Sequence, residues 1–173
     1  MSAEEALADL ADLADRLRDR YFGKYQGTVT EVDATTLRLR AKVPSVLGTT
    51  PSGWCLPCVP YAGKDVGLFL VPDVGAAVWI EFEGGDVSKP IWVGCYWRDG
   101  ELPADAAPKV RGLVTAAPHS LLFDDDAEEV TLTDSGGGSV ALTSDGVTAS
   151  RGGKSVVVAD SSVSVNDGAL EVS

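Results

Sequence analysis

Aromatic side chains are almost absent from this chain beyond residue 97. All four Trp and all four Tyr lie before residue 98, and Phe123 is the only aromatic after it. The last third therefore lacks the bulk to build a globular core of its own. Histidine is nearly absent too. The single one, His119, has no evident Ser or Cys nucleophile partner, so no catalytic triad can be assembled. Basic residues are scarce: 14 Lys and Arg stand against 26 Asp and Glu, for a net charge of −12. That excludes a phosphate-tracking nucleic-acid binder, which needs a basic surface. It also sets the chain against anionic membranes. No apolar run is long enough to form a membrane-spanning helix. The start, Met1-Ser2-Ala3-Glu4-Glu5, has no signal-peptide core, so synthesis and folding in the cytoplasm are expected. Three cysteines, Cys55, Cys58 and Cys95, are an odd count and make no disulfide scaffold.

What is present is 173 residues, 45% of them hydrophobic, enough for one modest domain with appendages. Residues 1–20 read as an amphipathic helix. Leu7, Leu10, Ala14 and Leu17 fall at heptad-like spacing, with Leu13 broadening the apolar side. It is too short for a free coiled coil. A helix packed on its own domain, one docked on a neighbouring subunit, and a frayed tail all remain open readings.

Residues 21–98 read as five or six short strands. Leu37, Leu39, Ala41 and Val43 alternate with Arg38, Arg40 and Lys42. Pro44 ends that strand, and a loop follows to Gly53. Residues 54–59 form a strand in which Pro57 points to an edge or a bulge. Residues 66–71 make another. Val78, Ile80 and Phe82 alternate with Trp79, Glu81 and Glu83, and the last strand places Ile91, Val93, Cys95 and Trp97 on one face. The stretches Pro60-Tyr61-Ala62-Gly63 and 78–86 form the centre of this block. A small closed antiparallel barrel is the economical solution, because closure removes sheet edges. An oligonucleotide/oligosaccharide-binding (OB) barrel has this size.

Residues 99–118, with Pro103, Pro108 and Pro118, read as an extended Pro/Ala-rich linker. From residue 119 to 173 short aliphatic pairs recur: Val130/Leu132, Val140/Leu142, Val147/Ala149, Val156/Val158, Val163/Val165 and Leu170/Val172. Gly, Ser, Asp and Asn fill the gaps, the mark of a β-solenoid or an intertwined β-helix. Burial of one aliphatic side chain returns ~1.5–3 kcal/mol, and ordering a residue costs ~1–2 kcal/mol. A single copy of this tail can hardly offset its own ordering, so it is expected to wind with identical tails. A three-sided prism is the natural closed form.

The candidate chemical sites weigh lightly. Cys55-Leu56-Pro57-Cys58 has no second pair and no nearby histidine for zinc, so buried structural cysteines are expected. Asp124-Asp125-Asp126 reads as a turn or solvated face rather than a calcium site, although an ion on a trimer axis stays open. Trp79, Trp92, Tyr96 and Trp97 could form a stacking face, which would suit a carbohydrate-binding OB module on a solenoid stalk acting as an adhesin. No catalytic, metal or cofactor-binding residues are expected.

The series of short motifs resembles one family. It runs from Gly27-Thr28-Val29 and Leu37-Arg38-Leu39-Arg40 through Pro60-Tyr61-Ala62-Gly63 and Pro72-Asp73-Val74-Gly75. It continues with Trp79-Ile80-Glu81-Phe82-Glu83-Gly84-Gly85-Asp86 and Pro90-Ile91-Trp92-Val93-Gly94. Together these resemble the OB domain of phage baseplate assembly protein V and of VgrG-type spikes. Ser120-Leu121-Leu122-Phe123-Asp124-Asp125 is similar to the start of their β-helical needle. Tyr21-Phe22-Gly23-Lys24-Tyr25-Gln26-Gly27 looks especially like versions from extracellular contractile injection systems.

The resemblance implies an all-β homotrimer: a small OB barrel followed by an intertwined trimeric β-prism needle, with a short N-terminal α-helix. It implies a central spike, assembled in the cytoplasm into a phage-tail-like particle and driven into a target cell envelope by sheath contraction. The linker is too short to hold an inserted lysozyme, so no enzyme activity is expected. Few residues precede the barrel, which implies a separate hub protein. The plain final strand implies a PAAR-type tip protein. The expected roles are hub or neighbour-subunit docking for Leu7, Leu10 and Leu17; trimer needle core for Val130, Leu132, Val140, Leu142, Val156, Val158, Val163 and Val165; and tip-protein contact for Leu170 and Val172. No nucleic-acid partner is expected.

Overall fold

The computed structural model describes residues 3–172, which fall into two compact units, one up to Gly100 and one from Glu101 onward. The fold is all-β with a short N-terminal helix, α1 (Ala3–Arg18). Leu7, Leu10, Leu13 and Leu17 on α1 are all exposed.

The first unit is built on a five-stranded sheet. Its strands are β1 (Tyr25–Val32), β2 (Leu39–Lys42), β3 (Leu56–Pro57), β6 (Ala77–Phe82) and β7 (Pro90–Cys95), in the order β2-β1-β6-β7-β3. All neighbours are antiparallel except β3 and β7. The two edges meet: Leu39 in β2 bridges Cys55, the residue immediately before β3, and Cys55 N–H donates to the Leu39 carbonyl at 2.8 Å. Ser52 stitches the same seam. Its hydroxyl oxygen accepts from Ala41 N–H at 3.0 Å, and its own N–H donates to the Ala41 carbonyl at 2.8 Å. The sheet thus curls into a small barrel, as an OB fold requires.

The barrel interior holds Val29, Leu39, Ala41, Val43, Cys55, Val78, Ile80, Phe82 and Trp92. Alternation explains most of this set, since every second residue of β2 and β6 points inward. Gly27 permits close strand approach, because a Cβ there would stand 3.2 Å from Ile80 and 3.3 Å from Ala41.

Several expected details differ. Leu37 is exposed, with φ of 54°, and lies outside the alternating strand. Residues after Pro44 form a one-turn helix, α2 (Pro44–Leu47), rather than loop: Pro44 sits at the helix start, where its missing N–H costs nothing. Ile91, Val93, Cys95 and Trp97, expected on one face, do not share one: β7 ends at Cys95, Ile91 pairs with Glu81 but Cys95 with Val78, and the buried residues are Pro90 and Trp92. Both parities of this strand are apolar, so alternation alone could not orient it. A register shift between Trp79 and Ile80 sets the outcome. The strand expected at 54–59 shrinks to β3, at the sheet edge where Pro57 is tolerated. The strand expected at 66–71 shrinks to β5 (Val66–Gly67), which pairs only with β4 (Ala62–Gly63).

The second unit is one eight-stranded antiparallel sheet whose strands pair in sequence order. They are β8 (Val110–Val114), β9 (Ser120–Asp124), β10 (Glu129–Thr133), β11 (Ser139–Thr143), β12 (Gly146–Arg151), β13 (Lys154–Val158), β14 (Val163–Val165) and β15 (Leu170–Val172). Strand β8 lies within the stretch read as linker, and it pairs residue by residue with β9. Its Gly112 stands opposite Leu122 in such close contact that an added Cβ would meet the Leu121 carbonyl at 2.9 Å. Among the described residues of this unit, none is buried.

Candidate functional site

The registers of the second unit sort its side chains onto two faces. Phe123, Val130, Leu142, Val147, Val158, Val163 and Val172 occupy one row across the strands. Leu113, Leu121, Leu132, Val140, Ala149, Val156, Val165 and Leu170 occupy the next, two residues away and therefore on the same face. All eight residues expected to form the needle core stand in these two rows, and so do Leu170 and Val172. The opposite face carries Thr131, Ala141, Thr148, Val157 and Ser164 in one row, and Thr133, Ser139, Ser150 and Ser155 in another.

This apolar face is open in the single chain. Leu132 is 55% exposed, and Leu142, Val156 and Val158 are exposed as well. At the last strand Leu170 is 61% and Val172 62% exposed. A contiguous exposed apolar strip of this length marks an interaction surface. Leu113, Leu121, Phe123, Val147 and Ala149 join the rows without having been singled out as site residues. Leu113 escaped because its strand was read as linker; the run Val110-Arg111-Gly112-Leu113-Val114, free of proline, was the available signal.

Polar clamps hold the turns that set the registers. In the β10–β11 turn the Asp134 carboxylate accepts from Gly138 N–H at 2.7 Å and Gly136 N–H at 2.8 Å. Arg151 at the end of β12 donates to the same carboxylate at 2.6 Å. The Gly138 N–H, and then the Arg151 guanidinium, hold the Asp134 carboxyl below the usual aspartate range. Arg111 on β8 pairs with Asp125. Asp124 accepts from the N–H groups of Asp126 and Ala127, each at 3.0 Å, so the triple-aspartate stretch is occupied with building its own turn. His119 Nδ1 accepts from Ser135 N–H at 3.3 Å.

The barrel unit brings its candidate residues together only in part. Cys55 is buried beside Ser52, with Sγ 3.4 Å from its Oγ, and burial pushes the thiol pKa up. Cys58 and Cys95 are exposed, so the expectation of three buried structural cysteines holds for Cys55 alone. Cys58 follows β3, whose two residues are both exposed, and Cys95 ends β7 beyond Trp92, its last buried residue. The four aromatics proposed as a stacking face are split. Trp92 is in the core with its ring N–H donating to the Gly94 carbonyl at 3.0 Å. Trp79 and Tyr96 pack together at 4.8 Å between centroids, and Trp97 stands 65% exposed.

Among the described residues no group of three or more His, Cys, Asp or Glu side chains is arranged to hold a metal ion. Nor does the site converge a nucleophile, a base and an oxyanion donor as acyl or phosphoryl transfer needs. What the geometry offers is surface: a long apolar face with its registers fixed.

Comparison with known families agrees with that reading. A model described as the type VI secretion system/phage-baseplate injector OB domain matches residues 25–97. A second, the phage baseplate V C-terminal trimerisation domain, matches residues 112–171. No curated protein matches the chain. The two domains occur here in order and between them cover about three quarters of the chain. Both are structural domains rather than enzymes, and the second supports a homotrimer. The first match begins where β1 begins, and the second begins within β8, inside the stretch 99–118. The chain is a member of the phage baseplate assembly protein V family, a spike-like structural component of phage-tail-like baseplates.

Proposed function

We propose that three copies of this chain wind their second units into one central needle, which sheath contraction drives through a target cell envelope. The observation that carries this reading is the pair of apolar rows left open on β8–β15. In a trimer Val130, Leu132, Val140, Leu142, Val156, Val158, Val163 and Val165 turn inward as the needle core. The Thr/Ser face then meets water, and the backbone pairing within each chain resists bending. Burial at ~25 cal/mol per Å² of apolar surface supplies the driving force that one chain lacks.

Two further partners complete the assembly. The exposed Leu7, Leu10 and Leu17 of α1 dock the spike on a separate hub protein or a neighbouring subunit. Leu170 and Val172, exposed on the edge strand β15, take a PAAR-like tip protein. A carbohydrate-binding role loses support because Trp92 is in the barrel core and unavailable for stacking on a sugar.

Electron cryo-microscopy of sheath-bearing particles that contain this chain tests the reading. The expected result is three copies on the central axis of the baseplate in the extended state, with the needle protruding after contraction. Finding the chain on a peripheral fibre would overturn the proposal.

A further inference from the structure

One surface of the barrel unit is not used by any role given so far. Residues 60–70 are eleven consecutive exposed residues. Seven are apolar: Pro60, Tyr61, Ala62, Val66, Leu68, Phe69 and Leu70. They form an arm on the two-stranded hairpin β4–β5, which pairs with nothing else in the sheet. Its polar hairpin tip is Lys64-Asp65, and Leu68 N–H returns to the Tyr61 carbonyl at 2.9 Å. Phe69 is 74% exposed, the most exposed large apolar side chain of the unit. The arm itself forms one wall of a groove of about 480 Å³, to which Tyr61, Leu68 and Phe69 contribute, and Pro57, Val59 and Trp92 of the barrel complete its lining. An isolated two-stranded hairpin is marginal in water, and an uncovered patch of this kind marks a contact surface.

Charge selects the occupant. The chain carries −12, so copies repel wherever acidic surfaces meet. The arm holds one Lys and one Asp, a net charge of zero. It is therefore a surface along which like-charged copies can approach without that penalty. Helix α1 is the contrast: Glu4, Glu5, Asp9, Asp12 and Asp15 outnumber Arg16 and Arg18, which suits a partner of opposite charge rather than a copy of itself. The trimerisation domain then supplies two sister barrels on the same assembly, at high effective concentration. A head-to-tail contact closes into a ring in a threefold assembly.

We infer that the arm is the contact by which sister barrels hold one another, with Phe69 of each chain seated in the apolar groove of the next. This rests on the trimeric reading above. Where the second unit ties three tails together, the arm ties three barrels, and the trimer gains a second, independent interface.

The test places the photo-cross-linker p-benzoylphenylalanine at position 69 of the full-length chain, after its mass has been measured in solution. A trimer that yields interchain cross-links to residues of the groove, Pro57, Val59 or Val71, supports the inference. A trimer that yields none, or cross-links only within one chain, overturns the arm contact and leaves the trimer standing. A monomer overturns both. Predominant cross-linking to a different protein in assembled particles would also overturn it, since the arm would then belong to that partner. As a second measurement, Phe69→Asp should leave the mass trimeric while amide exchange across residues 61–70 accelerates about tenfold or more. Unchanged exchange in a trimeric variant counts against the inference.

Discussion

Leu132 in β10 stands directly across from Val140 in β11, on the same face as Val130 and Leu142, and the Leu132 side chain is still 55% exposed. A well-formed cross-strand apolar pair stabilises a sheet by only ~0.2–1 kcal/mol relative to alanines. The remainder of what Leu132 can contribute waits for a second surface. That makes the pair a sensitive place to separate the fold of one chain from the assembly of three.

Leu132→Asp is expected to abolish trimerisation. The substitution puts three carboxylates into one layer of the needle, where burying an unpaired charge costs several kcal/mol per site. The same change at Thr131, which faces the opposite side, should be tolerated. Light scattering of the two variants distinguishes them: the first runs below the trimer mass, the second at it.

Gly146→Ala should destabilise the second unit by more than Gly137→Ala does. A Cβ at Gly146 would lie 2.1 Å from the Val158 carbonyl oxygen, at a φ of 137°. Backbone on the neighbouring strand has to move, at a cost of ~1–3 kcal/mol or more. At Gly137 the φ is 79° but the space is open, so the cost is limited to the backbone, ~1 kcal/mol. Thermal unfolding of both variants checks the order.

Acid should loosen the β10–β11–β12 clamp. Asp134 has its carboxyl pKa lowered in the folded state, first by the Gly138 N–H and then by Arg151. A depressed folded pKa means stability that is present above the unfolded value of about 3.9 and lost as pH falls through the lower, folded value. The Tm advantage of the native chain over Asp134→Asn should therefore be constant near neutrality and shrink below about pH 4. An advantage that persists unchanged to pH 2 would assign the effect to shape rather than charge.

Trp92→Ala should cost the barrel ~3–5 kcal/mol, the usual range for emptying an aromatic core site. Trp97→Ala, at an exposed position, should stay within about 0.5 kcal/mol. Denaturant unfolding of the two variants reads the difference directly.

These contrasts also show what the sequence could and could not reveal. The inward sets Leu39/Ala41/Val43 and Val78/Ile80/Phe82 were legible because polar residues separate the apolar ones. Strand β7 was not, since apolar residues fill both parities and a bulge at Val93 within it breaks the alternation. The needle rows were legible from aliphatic pairs spaced two apart, because period two fixes a face wherever the strand lies. Strand β8 was hidden by flanking prolines and by Gly112, whose missing side chain is what lets Leu122 approach. The stretch 66–71 looked like a core strand because hydrophobicity alone does not say whose core it fills. In the structure Leu68, Phe69 and Leu70 are exposed and take no part in the buried core of their own barrel.

The most direct test of the account is the solution mass of the full chain, by size-exclusion chromatography with light scattering across a range of concentrations. The account predicts three times the chain mass of 18.0 kDa, with no smaller species on dilution to micromolar protein. A folded monomer of 18.0 kDa, its second unit retaining strand structure with Leu132 and Val140 uncovered, would contradict it.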